Sequence, residues 1–190
     1  MISLDAARQA LGLKRLVLQI HDTSFPSQDD EDTGRGSPYS NGAREFLAFV
    51  KTLGFDGVQF GPQGQTSRGN KCPYDGRLFP NDFLSIALSP LVHDPYWRGL
   101  LPASSLERIV AGRPNGHDRS HHQYAWDEVS AAIDEAFATF RARGSADESI
   151  DRGFAEFTAA NANWLVRDGG AGQTRHAFVQ FILHQQRHRL

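Results

Sequence analysis

The chain has 190 residues, 39% of them hydrophobic, and its 20 Lys and Arg against 22 Asp and Glu leave a formal net charge of -2. That balance excludes nucleic-acid or membrane-surface binding driven by bulk charge, and no apolar run approaches the ~18 residues of a membrane span. The single cysteine, Cys72, excludes an internal disulfide and any multi-cysteine metal centre. With no secretory apolar stretch between Met1 and Leu13, a soluble cytoplasmic protein that binds neither nucleic acid nor membrane is expected.

Ser3 is the expected N-cap of a short helix over Leu4 to Leu11, with Gly12 as its stop. Arg15 to His21 reads as a strand whose nearly continuous apolar character points to burial on both faces, as in parallel sheets. Asp22 to Gly42, rich in Ser, Asp, Gly and Pro, is a loop of about twenty residues, longer than the usual connection and so a candidate for shaping a site. Between Ala43 and Leu53, the residues Phe46, Leu47, Phe49, Val50 and Leu53 form one helical stripe, capped by Asn41 or Ser40 and ended by Gly54. Phe55 to Phe60 is a second strand, so that strand, helix and strand make a βαβ unit within about forty-five residues.

Gly61 to Pro80 is a second loop dense in Gly, Pro, Asn and Ser, followed by an apolar segment, Phe83 to Leu88, expected to be extended. Helical spacing then dominates in Asp127 to Arg143, with Gly144 behind it, in Ile150 to Val166, and in a last helix capped by Thr174 and carrying Phe178, Phe181, Ile182 and Leu190. The expected fold is therefore α/β, with residues 1–90 forming a βαβ part that carries substrate loops and residues 91–190 forming a mainly helical subdomain.

Most of the eye-catching side chains have an ordinary explanation. The run Asp29-Asp30-Glu31-Asp32 lacks the alternating spacing, glycine and distal carboxylate of a calcium loop and reads as a solvated loop. His184 and His188 share a helix face with His176 nearly in line, but the sequence offers no Glu of a zinc-protease helix and no ordering second shell. His121 and His122 sit in a polar stretch with Asp118 and Arg119. Lys71 stands beside Cys72, yet no paired histidine marks that thiol as a nucleophile. The glycines from Gly61 to Gly69 lack the Gly-Lys-Ser/Thr ending of a phosphate loop. No metal and no cofactor is expected. Tyr39, Tyr74, Phe79, Tyr96 and Trp97 lie outside the helical stripes among Asn, Asp, Ser and Arg. Rings beside hydrogen-bonding side chains suit sugar recognition, and equally suit aromatics pinned by proline-rich loops onto the edge of a core.

Three segments resemble a known family. The first strand leads into Gln19-Ile20-His21-Asp22-Thr23-Ser24-Phe25-Pro26; the second into Val58-Gln59-Phe60-Gly61-Pro62; and Gly69-Asn70-Lys71-Cys72-Pro73-Tyr74-Asp75 is followed by Pro80-Asn81. These are similar to the N-terminal part of the 4-α-glucanotransferases (amylomaltases, or disproportionating enzymes), with their His-Pro-Thr-Ser-Leu-Pro, Leu-Pro-Leu-Gly-Pro and Gly-Asn-Ser-Pro-Tyr-Gln segments. Phe154 to Leu165 and Phe178 to Gln185 resemble the family's Phe-x-x-Phe…Trp-Leu and Gln-x-x-Phe-x-x-Gln helices more loosely. Asp22 stands where the family has Pro, Cys72 where it usually has Ser, and Arg68 near a frequent Tyr. The link from Asp168 to Gln173 is shorter than the family's.

The resemblance implies the first βαβ unit of a (β/α)₈ barrel followed by a helical inserted subdomain. Its site lies at the C-terminal ends of the strands, and its substrates are α-1,4-glucan oligosaccharides. It implies that Tyr74 packs on a glucose unit near the reacting bond, with Cys72, Ser24 and Asn81 lining or supporting the pocket. The reaction is retaining transfer of a glucan segment by a carboxylate nucleophile and a carboxylic acid/base, and no carboxylate here matches either position. Against a barrel of about 250 residues, the chain is expected to be an N-terminal portion, inactive alone and prone to self-association through open strand edges. The alternative is a non-catalytic glucan-binding or interaction protein derived from that fold.

Overall fold

A computed structural model describes residues 4–77, 80–116, 119–143, 148–165 and 174–189. Expectations that fall on Ser3, Phe79, Asp118, Gly144, Val166, the link 168–173 and Leu190 lie outside the described residues.

The chain opens with helix α1 (Leu4–Ala10) and strand β1 (Val17–Ile20), continues through helix α2 (Asn41–Thr52) and strand β2 (Gly57–Phe60), and becomes helical thereafter. Local signals set the boundaries. Gly12, at φ +65°, takes the left-handed conformation that ends α1, with the Gly12 and Leu13 N–H groups donating back to the Gln9 and Arg8 carbonyls. Ser40, not Asn41, caps α2, its hydroxyl accepting from the Ala43 N–H at 3.0 Å, and Gly54 at φ +87° follows the helix. The two strands pair in parallel, Val17 opposite Gly57 and Ile20 opposite Phe60, as the βαβ pattern requires. Arg8 and Asp56 lock the entry end, Asp56 accepting both from Arg8 at 2.8 Å and from the Leu16 N–H.

Two expectations about this half need correction. Both strands are shorter than their apolar runs, and β1 is not buried on both faces: Val17, 48% exposed, and Gln19 lie open on one face, while Leu18 and Ile20 on the other are half-buried. The sheet has only two strands among the described residues. On α2, Val50 is buried, but Phe49 is 57% exposed and Leu53 lies out with it, because the helix packs through Gly42, Ala43 and Val50.

The helical half consists of α3 (Ser89–His93), α4 (Ala103–Gly112), α5 (His122–Arg143), α6 (Glu148–Ala160), α7 (Ala162–Leu165) and α8 (Arg175–His188). The expected elements leave out Leu88 to Asp127, where α3 has only five residues and α4 offers one apolar turn, Leu106, Ile109 and Val110. Leu106 and Ile109 are nonetheless buried. Helix α5 starts already at His122, since Ala125 is buried and Trp126 packs edge-on against Phe83 at 4.7 Å. Thr174 caps α8, accepting from the Ala177 N–H at 3.2 Å. Arg143, at the end of α5, donates to the carbonyls of Arg98 and Gly99 at 2.8 and 2.9 Å, holding a turn in which both residues have positive φ. No helix among the described residues is long and apolar enough to cross a membrane.

One core runs across position 90: Tyr39 and the residues from Phe83 to Leu91 pack with Trp97, Ile109, Ile133, Phe140, Phe178 and Phe181. Phe83 to Leu88 is not an extended piece. It enters through a 3₁₀ turn over Phe83–Ser85 and is buried throughout, so its backbone polar groups have to find protein partners. Gln180 of α8 accepts from the Asn81 N–H at 3.1 Å and donates to the Asn81 carbonyl at 3.0 Å. Gln186 does the same for Ala87, at 3.1 and 2.8 Å. Arg35 donates to the Leu84 carbonyl at 2.8 Å and Ser37 to the Ser85 carbonyl at 2.7 Å. Asp82 caps the turn, accepting from the Leu84 N–H at 3.1 Å. Of the α8 glutamines singled out by resemblance, Gln180 is buried, but its working companion is Gln186 rather than Gln185.

Gln186→Met keeps the side chain's length and strands a buried N–H and C=O on Ala87. It is expected to lower unfolding stability in urea by about 2–4 kcal/mol, whereas Gln185→Ala changes it by less than about 0.5 kcal/mol.

Candidate functional site

Parallel pairing puts the C-terminal ends of β1 and β2 on the same edge, the end of a parallel sheet at which ligands bind. There the chain leaves β1 through His21 and a 3₁₀ turn over Asp22–Ser24, and leaves β2 through Gly61 to Gly64. Glycine at 61 is a steric requirement: a Cβ there would collide with the His21 imidazole, which lies across the exit of β2.

Asp22 is the pivot of this edge. It is buried, accepts from the Thr23 N–H at 3.0 Å, pairs with buried Arg35 at 3.3 Å, and takes the Ser85 hydroxyl. The position that departs from the family pattern thus carries a buried ion pair joining the β1 exit to the 83–85 turn. Gly36, next to Arg35, passes so close to the Phe25 and Thr23 carbonyls that a Cβ has no room.

The loop after β2 is built around Asn70. Its side-chain carbonyl accepts from the Cys72 N–H at 2.9 Å and its amide reaches Asp75 at 3.3 Å, closing a turn in which Pro73 starts a short 3₁₀ segment over Pro73–Asp75. This turn presents Tyr74, which is 70% exposed, with its ring edge-to-face on His21 at 6.0 Å. The loop is fastened to α5 from outside. Arg68 forms a two-point pair with Asp127, both contacts at 2.8 Å, and His122 Nε2 lies 2.8 Å from the Ser67 carbonyl. The Arg68 hydrogen bond and charge hold the Asp127 carboxyl below its usual range.

Between the strand exits and this loop lies a cavity of about 430 Å³ whose wall includes His21, Gln63, Lys71, Cys72, Tyr74 and His122. Of the residues that resemblance assigns to the substrate, Tyr74 and Cys72 come together on this cavity. Ser24 lies beyond it, on an adjoining groove, and Asn81 is on a different cleft, bonded to Gln180. Lys71, His21 and His122 join the cavity wall from outside the assigned set. His122 was unreadable as a site residue because α5 brings it in from 50 residues away.

Two carboxylates line the cavity, Asp22 and Asp82, and both are buried. Asp82 accepts the Thr66 hydroxyl at 2.6 Å and the Leu84 N–H, as Asp22 accepts from Arg35 and Ser85. Neither is free to attack an anomeric carbon or to move a proton.

The other candidates resolve into structural roles. Tyr39 and Trp97 are core residues, and Tyr96 packs against Trp97 with the Arg189 guanidinium 3.8 Å over its ring. Of the loop aromatics among the described residues, Tyr74 alone is exposed as a platform. The acidic run is not simply solvated: Glu31 is buried and accepts from the N–H groups of Gln28, Asn41 and Gly42, neutralising the start of α2, while Asp32 pairs with Arg113 at 2.7 Å. On α8, the His184 and His188 rings lie 4.4 Å apart, and burial together with His188 and Arg187 lowers the His184 pKa. No group of three or more His, Cys, Asp or Glu side chains among the described residues is arranged to hold a metal ion.

No protein-family model and no curated protein matches this chain.

Because folding lowers the Asp127 pKa, the Arg68 pair contributes fully above the ordinary carboxylate pKa of about 3.9. The contribution is lost as pH falls through the lowered value. Asp127→Asn at neutral pH is expected to speed amide hydrogen exchange from Asn70 to Asp75 several-fold relative to the parent chain at the same pH, while α8 exchange stays unchanged. Equal protection with and without the pair would show that the loop is held by other contacts.

Proposed function

We propose that the chain is a 4-α-glucanotransferase-like protein of the cytoplasm whose cavity at the strand exits binds α-1,4-glucan. In this reading β1, α2 and β2 are the first unit of a (β/α)₈ barrel and the helices from α3 onward are an inserted subdomain. The observation that carries it is Tyr74: a largely exposed aromatic ring at the rim of a cavity on the C-terminal edge of a parallel sheet, fixed by the Asn70 turn. An exposed ring on a hydrogen-bonded turn offers a face to the apolar side of a glucose unit.

Retaining transfer requires two carboxyl groups about 5–5.5 Å apart across the glycosidic bond. With Asp22 and Asp82 both committed to internal hydrogen bonds, the chain alone supplies binding loops and not the nucleophile or acid/base. That favours, for the isolated chain, the non-catalytic glucan-binding form of the same reading.

Calorimetry with maltooligosaccharides is expected to register binding that Tyr74→Ala weakens about tenfold or more. Incubation with maltotriose is expected to leave the sugar unchanged. Absence of binding, or binding indifferent to Tyr74, contradicts the glucan site, and the joint appearance of shorter and longer oligomers contradicts catalytic incompleteness.

The open sheet edges, together with exposed Leu11, Leu13, Val17, Phe49 and Leu53, favour self-association of the isolated chain. Light scattering is expected to show species larger than a monomer, and a monodisperse monomer at high concentration argues against it.

A further inference from the structure

Helix α8 closes on the run His184-Gln185-Gln186-Arg187-His188. Side chains four apart on a helix lie one above the other on a single face. His184 and His188 do so, with ring centroids 4.4 Å apart and ring planes at 67°. Both residues are exposed, and neither imidazole has a hydrogen bond or an ion pair with any described residue. Two pairs of ring nitrogens therefore stand side by side at the surface without a protein partner.

The turn that carries them is anchored. Gln186, on its inner side, is buried and holds both backbone groups of Ala87. Phe157, buried in the core, lays its ring 5.1 Å from the His184 ring. The cations on either side of His188 are engaged elsewhere: Arg187 donates to the Gln63 side-chain carbonyl at 2.8 Å, and Arg189 pairs with Asp94 at 3.2 Å. His121 and His122, the other histidines adjacent in sequence, differ from this pair. Each has its Nε2 against a backbone carbonyl, at 3.0 and 2.8 Å.

Two imidazoles held on one helix face can chelate a metal ion. Once one nitrogen has bound, the second reaches the same ion intramolecularly, which raises affinity above that of a single surface histidine. Neutral imidazole suits nickel, copper and zinc, whereas calcium and magnesium take oxygen ligands. No third His, Cys, Asp or Glu among the described residues joins the pair. The closed four-ligand shell of a structural zinc site is thus not assembled there, and an ion that accepts two nitrogens with water in a tetragonal or octahedral set fits better.

We propose that His184 and His188 form a two-histidine site for a divalent transition metal of the nickel and copper class, with the remaining coordination positions open to water. The bound ion bridges the last turn of α8 and braces the turn from which Gln186 holds the buried segment. The site stands apart from the Tyr74 cavity and does not depend on the glucan reading.

The test is titration calorimetry with nickel chloride at neutral pH on the parent chain, His184→Asn, His188→Asn, the double variant, and His93→Asn as a lone-histidine control. All three positions are exposed, and unchanged melting temperatures without metal establish that the variants fold. The parent chain is expected to bind one nickel ion that excess magnesium does not displace. Either single substitution in the pair is expected to weaken binding about tenfold to a hundredfold, the loss of the intramolecular second ligand, while His93→Asn leaves it unchanged. Saturating nickel is expected to slow amide hydrogen exchange from His184 to His188 several-fold in the parent chain and not in the double variant. Nickel binding no tighter in the parent chain than in the double variant, or weakened equally by His93→Asn, overturns the site. Pair-dependent binding with unchanged exchange overturns the bracing of α8.

Discussion

The stretch from Asn81 to Leu88, buried from Asp82 onward, has to satisfy most of its backbone polar groups where water does not reach, and the rest of the molecule is arranged around how it does so. An unpaired buried N–H or C=O costs about 1–3 kcal/mol, so a buried segment that is neither helix nor strand is tolerable only if side chains replace the missing ladder. Two glutamines on α8 supply the donor and acceptor that a neighbouring strand would have offered to Asn81 and Ala87. Arg35 and Ser37 do the same for the carbonyls between. Ser85 then reaches Asp22 at the end of β1. The segment is thereby the joint between the sheet and the helices, and through Asp22 it fixes where the strand exits stand.

The site inherits its geometry from that joint. Asp22 and Arg35 are buried together beneath the cleft, where an ion pair endures only with its remaining hydrogen-bonding capacity filled. Here backbone N–H, hydroxyl and carbonyl partners fill it. The consequence for chemistry is specific: the carboxylates that reach the cavity are structural, and what remains available to a ligand is a tyrosine face, a thiol, a lysine and uncommitted hydroxyls.

How far the sequence discloses this depends on the range of the interactions. Capping and stop signals act within a turn, so Ser40, Thr174, Gly12 and Gly54 were readable, and so was the parallel βαβ unit. Burial is not local. Tyr39 and Trp97 look like loop aromatics and sit in the core, while Phe49 continues an apolar stripe and is exposed. Phe83 to Leu88 resembles a strand because Gln186, the partner of Ala87, lies 99 positions away. In the site, Tyr74 and Cys72 were expected together only from the resemblance of the Gly69 to Asp75 segment, and the Asn70 turn is what holds them side by side. His122 arrives on a helix whose polar start resembles a loop, and the separation of Ser24 and Asn81 from the cavity follows from folding about the buried segment.

In the proposed reading, a glucan chain lies in the cleft over the β1 and β2 exits. Backbone amide shift mapping during titration with maltoheptaose tests it residue by residue. The account predicts saturable changes concentrated at His21 to Ser24, Gln63 and Gly64, Lys71 to Asp75 and Arg119 to His122, with α6 and the C-terminal half of α8 silent. Saturable changes centred on the helical half, or none at any concentration, would contradict it.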